Sequence, residues 1–179
     1  MNDGELTPVP RPCKVEIKKP EIQWDVVYSK IGISALHSDA RSFAWKLIHE
    51  LLPCEALLHQ RMGNVSDMCR FSCNKIATLE HCLLMCDPIK EVGTLIIHLV
   101  SKSTPSAVNE NIVCLNFLGT DSLVWLVINA LMFIWTKRSQ NKEAKSTEFL
   151  ASTRQTLSFL TCTEHKKLAD EALHILSED

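Results

Sequence analysis

Beyond a polar, proline-punctuated start, apolar residues recur along this chain at intervals of three and four, the spacing of one helix face. Residues 1–22 carry Pro8, Pro10, Pro12 and Pro20 and no periodic stripe, which predicts a flexible leader. From Trp24 the pattern turns helical. Asp39 is placed to cap "DARSFAWKLIHELL", where Phe43, Leu47 and Leu51 keep helical spacing and Ala44, Ile48 and Leu52 widen the stripe. Pro53 ends that segment, and "CEALLHQRM" predicts a second short helix before Gly63 and Asn64 turn the chain. Pro88 fits the first turn of a helix over "PIKEVGTLIIHLVSK", with Val92, Leu95, Ile96 and Leu99 on one side. A polar linker covers 101–111. Thr120 or Asp121 then caps a strongly apolar helix that ends at "TKRSQNK", where Lys137 and Arg138 suit the negative end of the dipole. Two amphipathic segments follow, at about 144–160 and 163–177. "VCLNFL" at 113–118 is the one strand candidate, so the predicted class is all-α: a leader over 1–22, a helical domain over 23–138 and amphipathic helices over 139–179.

Composition narrows the class of function. Of 179 residues, 46% are apolar and 22% charged, too hydrophobic for a disordered chain and sufficient for a packed core. The formal charge of −2 argues against a broad electrostatic grip on nucleic acid, which rests on many Lys and Arg contacts to phosphate. The longest apolar run, "LVWLVINALMFIW" from Leu123 to Trp135, is interrupted by Asn129 and is shorter than the roughly 20 residues that span a bilayer. It reads as a core helix, with no membrane partner, or as a face for a protein partner. The polar start lacks the apolar centre of a secretory signal, so the expected setting is intracellular, in nucleus or cytoplasm, where clustered thiols usually mean metal rather than disulfide.

Half of the eight cysteines fall within "MCRFSCNKIATLEHCLLMCD", residues 68–87. Zinc takes four soft or borderline ligands in a tetrahedron, and Cys69 and Cys73 are spaced to wrap one ion through a tight turn. The partners come from "TLEHCLLMC", and two sets are open. If Thr78 caps a helix there, Cys82 and Cys86 lie one turn apart on one face. His81 and Cys86 are then about 140° apart around an ideal helix, so His81 works only if the segment loosens before Cys86. The fold expectation becomes a helical domain with a small Cys/His zinc knuckle inserted between helices.

The pattern C-x3-C-x7-H-x4-C, with "TLEH" leading to the histidine and "CDPIKEV" following, resembles the zinc-binding region found C-terminal to the polymerase core of non-LTR retrotransposon reverse transcriptases. "FAWKLIHELLPCEALLHQRM" resembles that family's helix with a W-K/R-L-I/L-H centre, followed by L-P and a short helix ending near L-x-x-R. "WLVINALMFIWTKR" resembles its apolar helix ending in I-W-x-x-R. The likeness runs from about Trp24 to Arg138. It implies Cys69, Cys73, His81 and Cys86 as the ligands of a structural Zn2+, with Cys82 the alternative fourth ligand. It also implies a role beside template RNA or target DNA, for which the local basic residues are Arg70, Lys75, Lys137 and Arg138. Lys14, Lys18, Lys19, Lys142 and Lys145 form further small basic groups.

Catalysis is not expected. The chain shows no paired aspartates in a strand–turn–strand setting, no Gly-rich phosphate loop and no H-E-x-x-H motif, and zinc with four protein ligands has no open position for water. His49, His59 and Cys54 have no spacing that links them to the cluster, and Cys13, Cys114 and Cys162 read as incidental. Two functions therefore stand: a zinc-binding domain derived from a reverse transcriptase that contacts RNA or DNA, or a protein-interaction module in which zinc only holds the fold. A third reading is an element remnant that binds no nucleic acid.

Overall fold

The computed structural model describes residues 19–105 and 109–177, and these are mostly helical. In order come α1 (Trp24–Ile31), α2 (Ser38–Ile48), α3 (Glu55–Met62), a π turn (His81–Met85), a 3-10 turn (Asp87–Ile89), α4 (Lys90–Ser103), α5 (Asn109–Val113), α6 (Asp121–Ser139), α7 (Ser146–Leu160) and α8 (Lys166–Ile175). Among the described residues the only β feature is an isolated antiparallel bridge between Met68 and Ile76. The segment 113–118 is not a strand. Leu115 takes a positive φ of 57° there, and the Leu115 and Phe117 carbonyls both accept from the buried ammonium of Lys30.

Helix α6 is the axis of the core. It packs against α2, α4, α8 and the π turn, and Val127, Ile128, Leu131 and Ile134 have no exposed surface. Burying side chains of that size stabilises the fold by about 1.5–3 kcal/mol each. Thr120 caps α6 by accepting from the Leu123 N–H at 3.3 Å, as its position predicts. The helix proposed as a face for a protein partner is thus already covered by the rest of the chain, with Met132, Phe133 and Trp135 only partly exposed. Helices α7 and α8 contribute Phe149, Leu157, Ala169 and Ala172 to the same buried cluster, so the region after 139 packs against the preceding helices.

Two element ends differ from the periodicity. Helix α2 begins at Ser38, with His37 as its cap, and stops at Ile48. Glu50 turns left-handed at φ 53°, and the Leu51 N–H reaches back to the Lys46 carbonyl at 2.8 Å. Leu51 is therefore exposed while Leu52 is buried. Residues 1–18 of the expected leader, including Cys13, Lys14 and Lys18, lie outside the described residues. At the end of that stretch the chain is anchored: Ile22 is buried, and Lys19 pairs with Glu110 at 2.8 Å and Glu50 at 3.4 Å.

The piece that carries the cysteines is fixed between these helices. Gly93 in α4 lies so close to the π turn that a Cβ added there would stand 2.3 Å from the Leu84 carbonyl oxygen. Only a residue without a side chain allows that approach.

Candidate metal centre

Cys69 and Cys73 sit on a small turn that the backbone closes on itself. The Cys69 N–H donates to the Lys75 carbonyl at 2.9 Å, the Ala77 N–H to Asp67 at 2.8 Å and the Ser72 N–H to Cys69 at 3.1 Å. Ser72 and Asn74 both take positive φ, 58° and 52°, which bends the loop tightly enough for both sulfurs to point inward. Short polar side chains tolerate that conformation better than most.

The other two side chains come from the π turn. Thr78 Oγ1 accepts from the His81 N–H at 3.2 Å and starts the segment as a cap, as expected. The helix then widens: the Cys86 N–H donates to the His81 carbonyl, five residues back, at 2.9 Å. Each residue turns less in this wider coil, which brings His81 and Cys86 to one side. Cys86 itself leaves the helix with extended backbone, φ −73° and ψ 134°. Pro88 supplies a reason for the stop, because it has no N–H to offer the Leu84 carbonyl in a continued α-helix.

The result is a closed group of four. The Cys73 and Cys86 sulfurs are 3.8 Å apart, Cys69 and Cys86 3.5 Å, and Cys73 Sγ lies 3.1 Å from His81 Nε2. All four donor atoms fall within 4.8 Å of one another, close enough to hold a metal ion. Cys69, His81 and Cys86 are buried and Cys73 is half-buried. Cys82, the alternative ligand, lies outside this group: it is fully buried, 3.9 Å from Glu55 Oε2, and burial pushes its thiol up to about 12. Burial also raises Cys86, while burial at Cys69 is outweighed by the Phe71 backbone N–H and by Cys73, His81 and Arg138, which bring it down to about 6.

The basic residues assigned to nucleic acid are mostly engaged elsewhere. Arg138 is 2% exposed: Nη1 lies 3.6 Å from Cys69 Sγ and 3.7 Å from Cys86 Sγ, and Nη2 donates to Glu55 Oε2 at 2.9 Å. It cannot reach a phosphate. Arg70 donates to the other Glu55 oxygen, and Lys137 is bound to Glu148 above the Phe133 ring. Lys75, on the knuckle, is exposed. Burial works against Glu55 being charged, but its bonds to Arg70 and Arg138 outweigh this and hold its carboxyl below the ordinary range.

Spacing arguments missed Glu55, Phe71 and the inward role of Arg138. A signal existed for the last: 138 continues the stripe of Val127, Leu131 and Ile134, and a cation on a buried stripe must be paired. The remaining candidates have structural duties. His49 packs against Trp45 with ring centroids 4.1 Å apart and planes tilted by 48°, and His59 Nδ1 meets the Val65 carbonyl at 2.6 Å. Cys54 is the buried residue that precedes α3, and Cys114 is buried beside Lys19 Nζ at 3.4 Å. No helix among the described residues is long and apolar enough to cross a membrane. Compared with family models, with curated proteins and with solved structures, the chain matches none.

Proposed function

We propose that this chain is a non-catalytic structural zinc-binding domain, related by resemblance to the zinc-binding region of non-LTR retrotransposon reverse transcriptases. The observation that carries the reading is the convergence of three sulfurs and one imidazole nitrogen within 4.8 Å. A tetrahedral ion with Zn–S bonds of about 2.3 Å requires sulfurs about 3.8 Å apart, and the observed 3.5 and 3.8 Å are close to that. A Cys3His donor set is soft enough to favour zinc over magnesium or calcium, which prefer oxygen. With four protein ligands the ion has no open position, and its chemistry is to cross-link the turn to the helical segment rather than to activate water.

Within that reading a protein-contacting role is favoured over a phosphate-contacting one. Arg70, Lys137 and Arg138 are in ion pairs, whereas Met68 and Ile76, opposite each other across the knuckle's bridge, are 42% and 53% exposed. Metal analysis of the purified protein is the direct test. One zinc per chain is expected, lost in His81→Ala and kept in Cys82→Ala. The reverse outcome would overturn the ligand set, and a metal-free wild type would sink the reading.

A further inference from the structure

We propose that Arg138 is the charge-compensating clamp of the metal centre, a positioning residue that sets how tightly the ion is held and how reactive the bound sulfurs are. The inference rests on the zinc reading above. Three thiolates, a neutral imidazole and a dication sum to one negative charge in a site where Cys69, His81 and Cys86 are buried, and a charge on that inner side needs a partner. The guanidinium provides it. Its two amino groups lie 3.6 and 3.7 Å from Cys69 Sγ, and one of them 3.7 Å from Cys86 Sγ. Its plane is also held from the knuckle side, with Cζ 5.1 Å above the Phe71 ring.

Glu55, at the start of α3, receives Arg138 on one oxygen and Arg70 on the other, and its side chain is only 9% exposed. The order of charges from the ion outward is therefore negative centre, Arg138, Glu55, Arg70, alternating until solvent is reached at the 40% exposed Arg70. Each member compensates its neighbour. N–H donation to a metal-bound thiolate withdraws charge from sulfur, which makes it a poorer nucleophile and a worse target for protons, the two routes by which ligands leave the ion. Residue 138 is far from the cysteines in sequence and belongs to the core helix α6, so the clamp also joins the knuckle to the body of the fold.

The test uses the full chain loaded with zinc, with Zn2+ affinity measured against a chromophoric chelator and sulfur reactivity measured by iodoacetamide. Arg138→Met, which keeps the volume and removes the charge, is expected to lose about 10–100-fold in affinity, the usual effect of outer-shell changes, and to alkylate faster. Arg138→Lys should fall between Met and wild type, since it keeps charge but not the planar fork. Arg70→Met, at the outer end, should change affinity less than Arg138→Met. Leu157→Ala, a core change in α7, should lower stability without changing the alkylation rate of zinc-loaded protein. Should Arg138→Met fail to fold, Glu55→Gln replaces it: releasing the guanidinium should speed alkylation several-fold. A folded Arg138→Met, or failing it Glu55→Gln, with wild-type affinity and alkylation would overturn the clamp while leaving zinc binding intact. A wild type that takes up no zinc would instead remove the centre itself.

Discussion

Lys30 and Arg138 are both cations folded into apolar surroundings, and each is held by a different kind of acceptor. Arg138 has a carboxylate and two sulfurs. Among the described residues, Lys30 has the Leu115 and Phe117 carbonyls and the Phe117 ring, 4.6 Å from Nζ. Burial lowers its pKa from 10.5 to about 8. Between those two values the unfolded chain binds more protons than the folded one, so the cost of burying Lys30 is largest below about 8 and shrinks as pH rises toward 10.5. Wild type is expected to gain stability relative to Lys30→Met between pH 8 and 10 in urea titrations. A constant difference across that window would show that Lys30 keeps its ordinary value.

At the scale of elements, the π turn and α4 depend on one another through Gly93. Replacing it with Ala gains up to about 1 kcal/mol of helix propensity but places a methyl 2.3 Å from the Leu84 oxygen, against backbone that cannot rotate away. The clash should prevail. Gly93→Ala is expected to destabilise the protein by about 1–3 kcal/mol, the usual range for overpacking, and denaturant midpoints would register it. The knuckle turn, by contrast, has no regular helix to hold it: its shape rests on two left-handed residues, short backbone hydrogen bonds, the contacts of Arg70 and Arg138, and the four candidate ligands. On the proposed zinc reading, apparent binding energies of about 10–16 kcal/mol match or exceed a domain's usual net stability, so removing the ion should act first here. Chelation is expected to expose residues 64–78 to limited proteolysis while the far-UV helix signal, which comes largely from α4, α6, α7 and α8, falls little. Simultaneous loss of both would mean that the helices cannot stand without the knuckle.

For the whole molecule, charge decides what kind of surface is presented. A net −2 is spread over a chain whose knuckle-side arginines are internal or paired. Any binding to RNA or DNA is therefore expected to be weak and to vary little with salt; a steep fall in affinity with rising salt would instead demand several phosphate contacts. Within the same molecule, the legible parts and the hidden ones separate cleanly by cause. Helical periodicity located α2, α4 and α6 because each buries one face or all faces against neighbours, and Thr120 capped where its hydroxyl required. Periodicity failed at Leu51, since a left-handed Glu50 ended the stripe early, and at 113–118, where Lys30 from a distant helix satisfies carbonyls that a strand would have paired.

What the sequence determined by itself was the inventory: an all-helical chain, a turn able to offer Cys69 and Cys73, and a helical stretch offering His81, Cys82 and Cys86 as rival partners. Ideal helix geometry pointed to Cys82, and resemblance to His81. Only the tertiary structure chose the cluster, because a five-residue hydrogen-bonded turn rotates His81 toward Cys86 and leaves Cys82 facing Glu55. It likewise turned Arg138 from a surface cation into part of the centre. Spacing along a chain fixes which residues can share a face, but the pitch of a turn and the partner of a buried charge are settled by elements that meet only after folding.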